Sequence, residues 1–76
     1  TRAERRELDG LFETIEEAEA RVVSIQSALA DPELYQGAGQ RIATLRGDLE
    51  RAEEETAQLT RRWEELEERK AATEDA

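Results

Sequence analysis

From Leu8 to Leu29 the apolar side chains fall at alternating steps of three and four residues: Leu8, Leu11, Ile15, Ala18, Val22, Ile25, Leu29. The alternation resumes at Ile42 and runs through Leu45, Leu49, Ala52, Thr56, Leu59, Trp63 and Leu66, with Lys70 and Thr73 continuing the frame. A strand would need a period of two. A step that averages 3.5 residues instead keeps one narrow stripe on one side of an α-helix, where a second helix covers it. With Leu8 at heptad position a, the first stretch has a = Leu8, Ile15, Val22, Leu29 and d = Leu11, Ala18, Ile25. Charged residues make up 41% of the chain and apolar ones 37%, a composition that by itself also suits a disordered segment. The two unbroken heptad stretches decide for coiled-coil helices.

Helix punctuation predicts where these helices stop. Thr1-Arg2-Ala3-Glu4 reads as a capping box, with the Thr1 hydroxyl and the Glu4 carboxylate taking orphan amides. Pro32 lacks an amide hydrogen and disfavours a helical residue before it, so Asp31-Pro32 ends the first helix. Asp31 then caps a short turn, Leu34 covers the end of the seam, and Gly37 and Gly39 are expected to supply the freedom for reversal. The expected organisation is one domain over 1–76: helix 1 over about 2–30, a turn over 31–38 and helix 2 over about 39–72, with 73–76 fraying.

The fold class is therefore all-α, a two-helix antiparallel coiled-coil hairpin that is monomeric in dilute solution. Antiparallel pairing sets a against d, so facing residues have a constant sum. A sum of 74 pairs Leu29 with Leu45, Ile25 with Leu49, Val22 with Ala52, Ala18 with Thr56, Ile15 with Leu59, Leu11 with Trp63 and Leu8 with Leu66. It also sets Glu4 against Lys70, and Arg5 beside Arg69. The small middle layers are expected either to draw the helices together or to form a soft spot. Surface pairs Glu17–Arg21 and Glu65–Arg69 are expected along single helices.

Chemistry is scarce. The chain has no histidine, cysteine or methionine. The missing methionine suggests a piece of a longer protein. Nucleophilic thiol chemistry, disulfides and imidazole catalysis are excluded, and the fragment is not expected to be an enzyme. The carboxylates of Glu13, Glu16, Glu17 and Glu19 read as a solvated helix face rather than a metal site. Gly-Ala-Gly at 37–39 lacks the Lys and Ser/Thr of a phosphate-binding loop, so no cofactor is expected here. No apolar run is long enough to span a membrane or serve as a signal peptide.

The formal net charge of −9 repels nucleic acid and anionic lipid at long range. Any nucleic-acid role must rest on local cation clusters, and two are visible. Arg2, Arg5, Arg6, Arg61, Arg62, Arg69 and Lys70 gather at the open end of the hairpin. Arg41 and Arg46 lie near the turn with Tyr35, Gln36 and Gln40, and of these Tyr35, Gln36, Gln40 and Arg41 are polar residues with no folding role apparent from the sequence. The open end is the preferred contact site, since it holds more cations.

"LADPELY" after a heptad helix that starts "RELDGL", followed by a helix carrying "RRWEELEERK", resembles the C-terminal domain of Uup-type ABC-F ATPases over about residues 5–70. The resemblance implies a coiled-coil domain attached to a cytoplasmic ATPase that binds ATP elsewhere in its chain. It also implies DNA or ribosomal RNA as a partner, beside the rest of the parent ATPase. Two other readings fit the same helices: a purely structural, protein-interaction coiled coil, and the helical region of a bacterial release factor, where Asp-Pro turns between Glu-rich helices also occur.

Overall fold

A computed structural model describes residues 1–37 and 39–75, the last of these in its backbone only. Ala38, in the expected turn, and Ala76, in the expected frayed end, lie outside the described residues. Helix α1 spans Arg2–Ala30, a short 3₁₀ helix spans Pro32–Gln36, and helix α2 spans Gly39–Asp75. The two long helices fold back on each other as an antiparallel coiled coil, a rod of 60 × 17 × 15 Å. Among the described residues there is no strand. The all-α hairpin expected from the heptads is the observed fold.

The caps follow the sequence signals. The Glu4 amide donates to Thr1 Oγ1 at 3.2 Å, and both halves of the capping box form. Asp31 stands in an extended conformation after α1, and its Oδ1 accepts from the Glu33 amide at 3.0 Å, with Pro32 at the first position of the 3₁₀ helix. The reversal itself does not use the glycines in the way expected. Gly37 has φ −102° and ψ −164°, ordinary extended backbone, and Gly39 is already helical. Among the described residues no glycine has positive φ. Pro32 ends α1 and opens the 3₁₀ helix, and the described residues of the turn use no left-handed backbone.

The seam holds the two helices. Leu8, Leu11 and Leu66 form its buried core at the open end, with Leu59 and Trp63 packed against them. This grouping, with Leu8 and Leu66 side by side, is the register in which facing residues sum to 74. Farther along, Ala18 is 2% exposed and Ala52 4%, as closed as Leu66 at 2%. The alanines of the small middle layers are thus closed off from solvent, and no soft spot shows there. Thr56, half-buried between them, donates its hydroxyl to the Ala52 carbonyl at 2.8 Å, so the seam carries no orphan polar atom at that layer.

Candidate nucleic-acid interface

Each end of the rod carries a hollow between the helices. The one at the open end, about 240 Å³, is lined by Leu8 and Leu66 at its floor and by Arg2, Arg5, Arg69 and Lys70 around it, with Glu4 and Glu74. The one at the turn, about 290 Å³, is lined by Ala28, Leu34, Leu45, Asp31, Glu33 and Arg41. Leu34 is half-buried there, at the end of the seam.

The structure divides the open-end cations into two groups. Arg62 grips Glu7 through two bonds, Nε to Oε2 at 2.6 Å and Nη2 to Oε1 at 2.9 Å, and reaches Glu65 at 3.1 Å. Arg69 donates to Glu4 across the seam. These two arginines tie the helices together. Arg2, Arg5, Arg6, Arg61 and Lys70 are exposed and make no ion pair among the described residues. Of these five, Arg2, Arg5 and Lys70 line the hollow, while Arg6 and Arg61 do not.

Several expected pairs are re-partnered. The heptad register sets Lys70 against Glu4, but Arg69 takes that carboxylate instead. Neither Glu17–Arg21 nor Glu65–Arg69 forms, because Arg21 crosses to Glu55 at 3.0 Å and Arg69 crosses to Glu4. The reason is geometric. Glu7, Arg21, Glu55, Arg62 and Arg69 each stand one residue before an a position, the flank that leans over the seam. Glu7 thus acts at this site although the sequence reading does not single it out, and Glu4, expected against Lys70, acts there with Arg69 instead.

The bonds perturb the carboxylates in the expected sense. The Arg69 hydrogen bond holds Glu4 below the ordinary glutamate value of 4.5, and the Arg62 hydrogen bond does the same for Glu7. Glu7 and Glu65 in turn push the Arg62 guanidinium up. A carboxylate with a depressed folded pKa stabilises the fold above its unfolded value, and the gain is lost as pH falls through the folded value. The thermal midpoint of the native chain is therefore expected to exceed that of Glu4→Gln/Glu7→Gln at neutral pH. The gap should shrink as pH drops below 4.5. A gap that is constant with pH would show that the two pairs contribute nothing.

At the turn, Tyr35 has a structural role after all. Its hydroxyl donates to the Leu29 carbonyl at 2.6 Å, satisfying one of the orphan acceptors at the end of α1. Tyr35 as a whole is 55% exposed. Tyr35→Phe is expected to cost about 0.5–1 kcal/mol in denaturant unfolding, the low side of a net hydrogen bond. An unchanged midpoint would return Tyr35 to the surface residues without a folding role. Gln36, Gln40, Arg41 and Arg46 are exposed, and Arg41 alone of these lines the turn hollow.

Among the described residues no group of three or more acidic side chains is placed to hold a metal. No described helix is long and apolar enough to cross a membrane. The model of the family described as "ABC transporter C-terminal domain" matches residues 1–68. The chain belongs to this family. It is an accessory domain of an ABC protein, consistent with the ABC-F likeness of its sequence, and the release-factor likeness gives way to this assignment. No curated protein and no solved structure matches the chain.

Proposed function

We propose that the chain is the C-terminal coiled coil of an ABC-F ATP-binding protein and associates with nucleic acid, DNA or ribosomal RNA, through its open end. The parent ATPase binds ATP outside this segment and works in the cytoplasm. One observation supports the reading above the rest: the open-end hollow has four cations and two carboxylates around it in a chain of net charge −9. The waist, residues 11–28 and 48–60, carries nine carboxylates against two arginines. Both of those arginines are spent, Arg21 on Glu55 and Arg51 on Asp48.

Titration of a labelled duplex and a structured RNA with this chain, followed by fluorescence anisotropy, tests the proposal. Binding is expected at low salt, with a dissociation constant on the order of 10⁻⁴–10⁻⁶ M as salt approaches physiological, the range of nonspecific contacts. No binding at low salt would leave the second reading, a rigid arm that sets spacing for the ATPase. The interhelical ties Glu4–Arg69, Glu7–Arg62 and Arg21–Glu55 favour that alternative, since they stiffen a rod without needing a ligand.

A further inference from the structure

We infer that one flank of the rod, the one that carries Phe12 and Val23, docks a basic amphipathic helix of a protein partner. This flank is a different surface from the open end, and the inference stands independently of the nucleic-acid reading.

Among the described residues three large hydrophobic side chains stay exposed: Phe12 at 61%, Val23 at 59% and Tyr35. The bond to Leu29 accounts for Tyr35. Phe12 and Val23 stand outside the buried core, yet they lie together. They are eleven residues apart, about three helical turns, so both stand on one side of α1, about 16 Å from each other. Phe12 is at heptad position e, and Val23 is at b, the position just outside e. A two-helix seam needs apolar residues at a and d alone. An apolar residue at e widens the stripe, the pattern of a helix that touches a further neighbour.

The two flanks of the rod are unlike. With Ile42, Leu49, Thr56 and Trp63 at a in α2, position g of one helix faces g of the other, and e faces e. The g flank is closed by ion pairs within the chain, Glu7–Arg62 and Arg21–Glu55. The e flank has no such tie among the described residues. From Asp9 to Gln26 and from Glu50 to Glu67, positions e and b hold three carboxylates on α1 (Asp9, Glu16, Glu19) and four on α2 (Glu50, Glu53, Glu64, Glu67), with no cation. None of these carboxylates is in an ion pair among the described residues. Arg5 and Arg46, also at e, bound the stretch at either end. Glu19 and Glu53 occupy facing e positions, where opposite charges would tie the helices and like charges repel.

Charge names the occupant. Two apolar side chains set among unpaired carboxylates match a helix whose apolar stripe is bordered by lysines and arginines, laid lengthwise against the rod. Its cations would also relieve the repulsion between Glu19 and Glu53. A second copy of this chain would bring the same acidic flank and be repelled, as would nucleic acid and anionic lipid.

The probe is a labelled helical peptide of about three heptads, with leucine at a and d and lysine and alanine elsewhere. Fluorescence anisotropy at physiological salt follows its binding to the whole chain and to three variants. Saturable one-to-one binding is expected, and a scrambled peptide of the same composition should bind at least about tenfold more weakly. Phe12→Ala/Val23→Ala leaves every charge in place and should lose about tenfold or more in affinity. Glu16→Gln/Glu19→Gln/Glu53→Gln should lose about as much. Glu13→Gln/Glu54→Gln/Glu68→Gln removes the same charge from position f, the side of each helix farthest from the seam, and should change affinity less than about threefold. All of these side chains are exposed and none is in an ion pair among the described residues. Circular dichroism verifies the fold of each variant. Equal loss from both carboxylate triples, equal binding of the scrambled peptide, or unchanged affinity in Phe12→Ala/Val23→Ala would reduce the contact to diffuse charge attraction and overturn the docking face. Dimerisation of the chain alone, measured by sedimentation and weakened by Phe12→Ala/Val23→Ala, would give the flank to a second copy instead. Absence of saturable peptide binding by the unaltered chain would overturn the inference outright and leave the nucleic-acid reading untouched.

Discussion

Leu66→Ala is expected to destabilise the hairpin by about 2–5 kcal/mol, the range for emptying a buried leucine site. Leu66 is 2% exposed and packs with Leu8 and Leu11, and Leu59 and Trp63 close over the same cluster. A narrow seam has few side chains to collapse into the space, so the loss should fall in the upper half of that range. A chain of 76 residues has a total stability of about 4–11 kcal/mol at typical per-residue values. The variant should therefore be partly unfolded at room temperature, with a large drop in helical ellipticity. Phe12→Ala is the matched control. Phe12 is 61% exposed, and its loss should shift stability by no more than about 0.5 kcal/mol. Similar unfolding midpoints for the two variants would mean that the buried cluster does not hold the helices together.

Ala18→Leu should also be damaging, for the opposite reason. Ala18 and Ala52 are 2% and 4% exposed, and neither end hollow reaches them. A leucine there has no space, and overpacking typically costs about 1–3 kcal/mol. The strain has a second consequence. Pushing the helices apart at this layer stretches the Arg21–Glu55 pair, now at 3.0 Å one turn away. Ala20→Leu adds the same side chain to the exposed face of α1 and should be nearly neutral. A rise in the melting temperature of Ala18→Leu would show that the middle of the seam is looser than its burial indicates.

The two predictions concern opposite failures of one device. Large residues at the open end need a partner to fill them, and small residues in the middle need a partner to stay close. Together they set the distance between the helices along the whole rod, and with it the width of the open-end hollow. The candidate contact site is thus downstream of the core. Arg5 and Lys70 belong to different helices and share a concave surface only while the Leu8–Leu66 layer beneath them is intact.

Which residues face the partner helix, where α1 stops and which way the chain folds back were all legible in the sequence. These depend on local rules: a 3.5-residue period repeats regardless of what it packs against, and proline removes a helical hydrogen bond wherever it stands. The capping residues Thr1 and Asp31 were legible for the same reason. Three features were decided only by the folded hairpin. Arg62 and Arg69 became paired because Glu7 and Glu4 came within reach across the seam, at separations of 55 and 65 residues. Tyr35 acquired a role because the turn carried its hydroxyl back to Leu29. Gly37 takes ordinary extended backbone and Gly39 is already helical, so neither uses the left-handed region that favours glycine. Composition counts charges, but a charge acts only through what stands beside it. Residues distant in the chain become neighbours through packing, so the sequence determined the rod, and the tertiary structure decided which of its cations remained available.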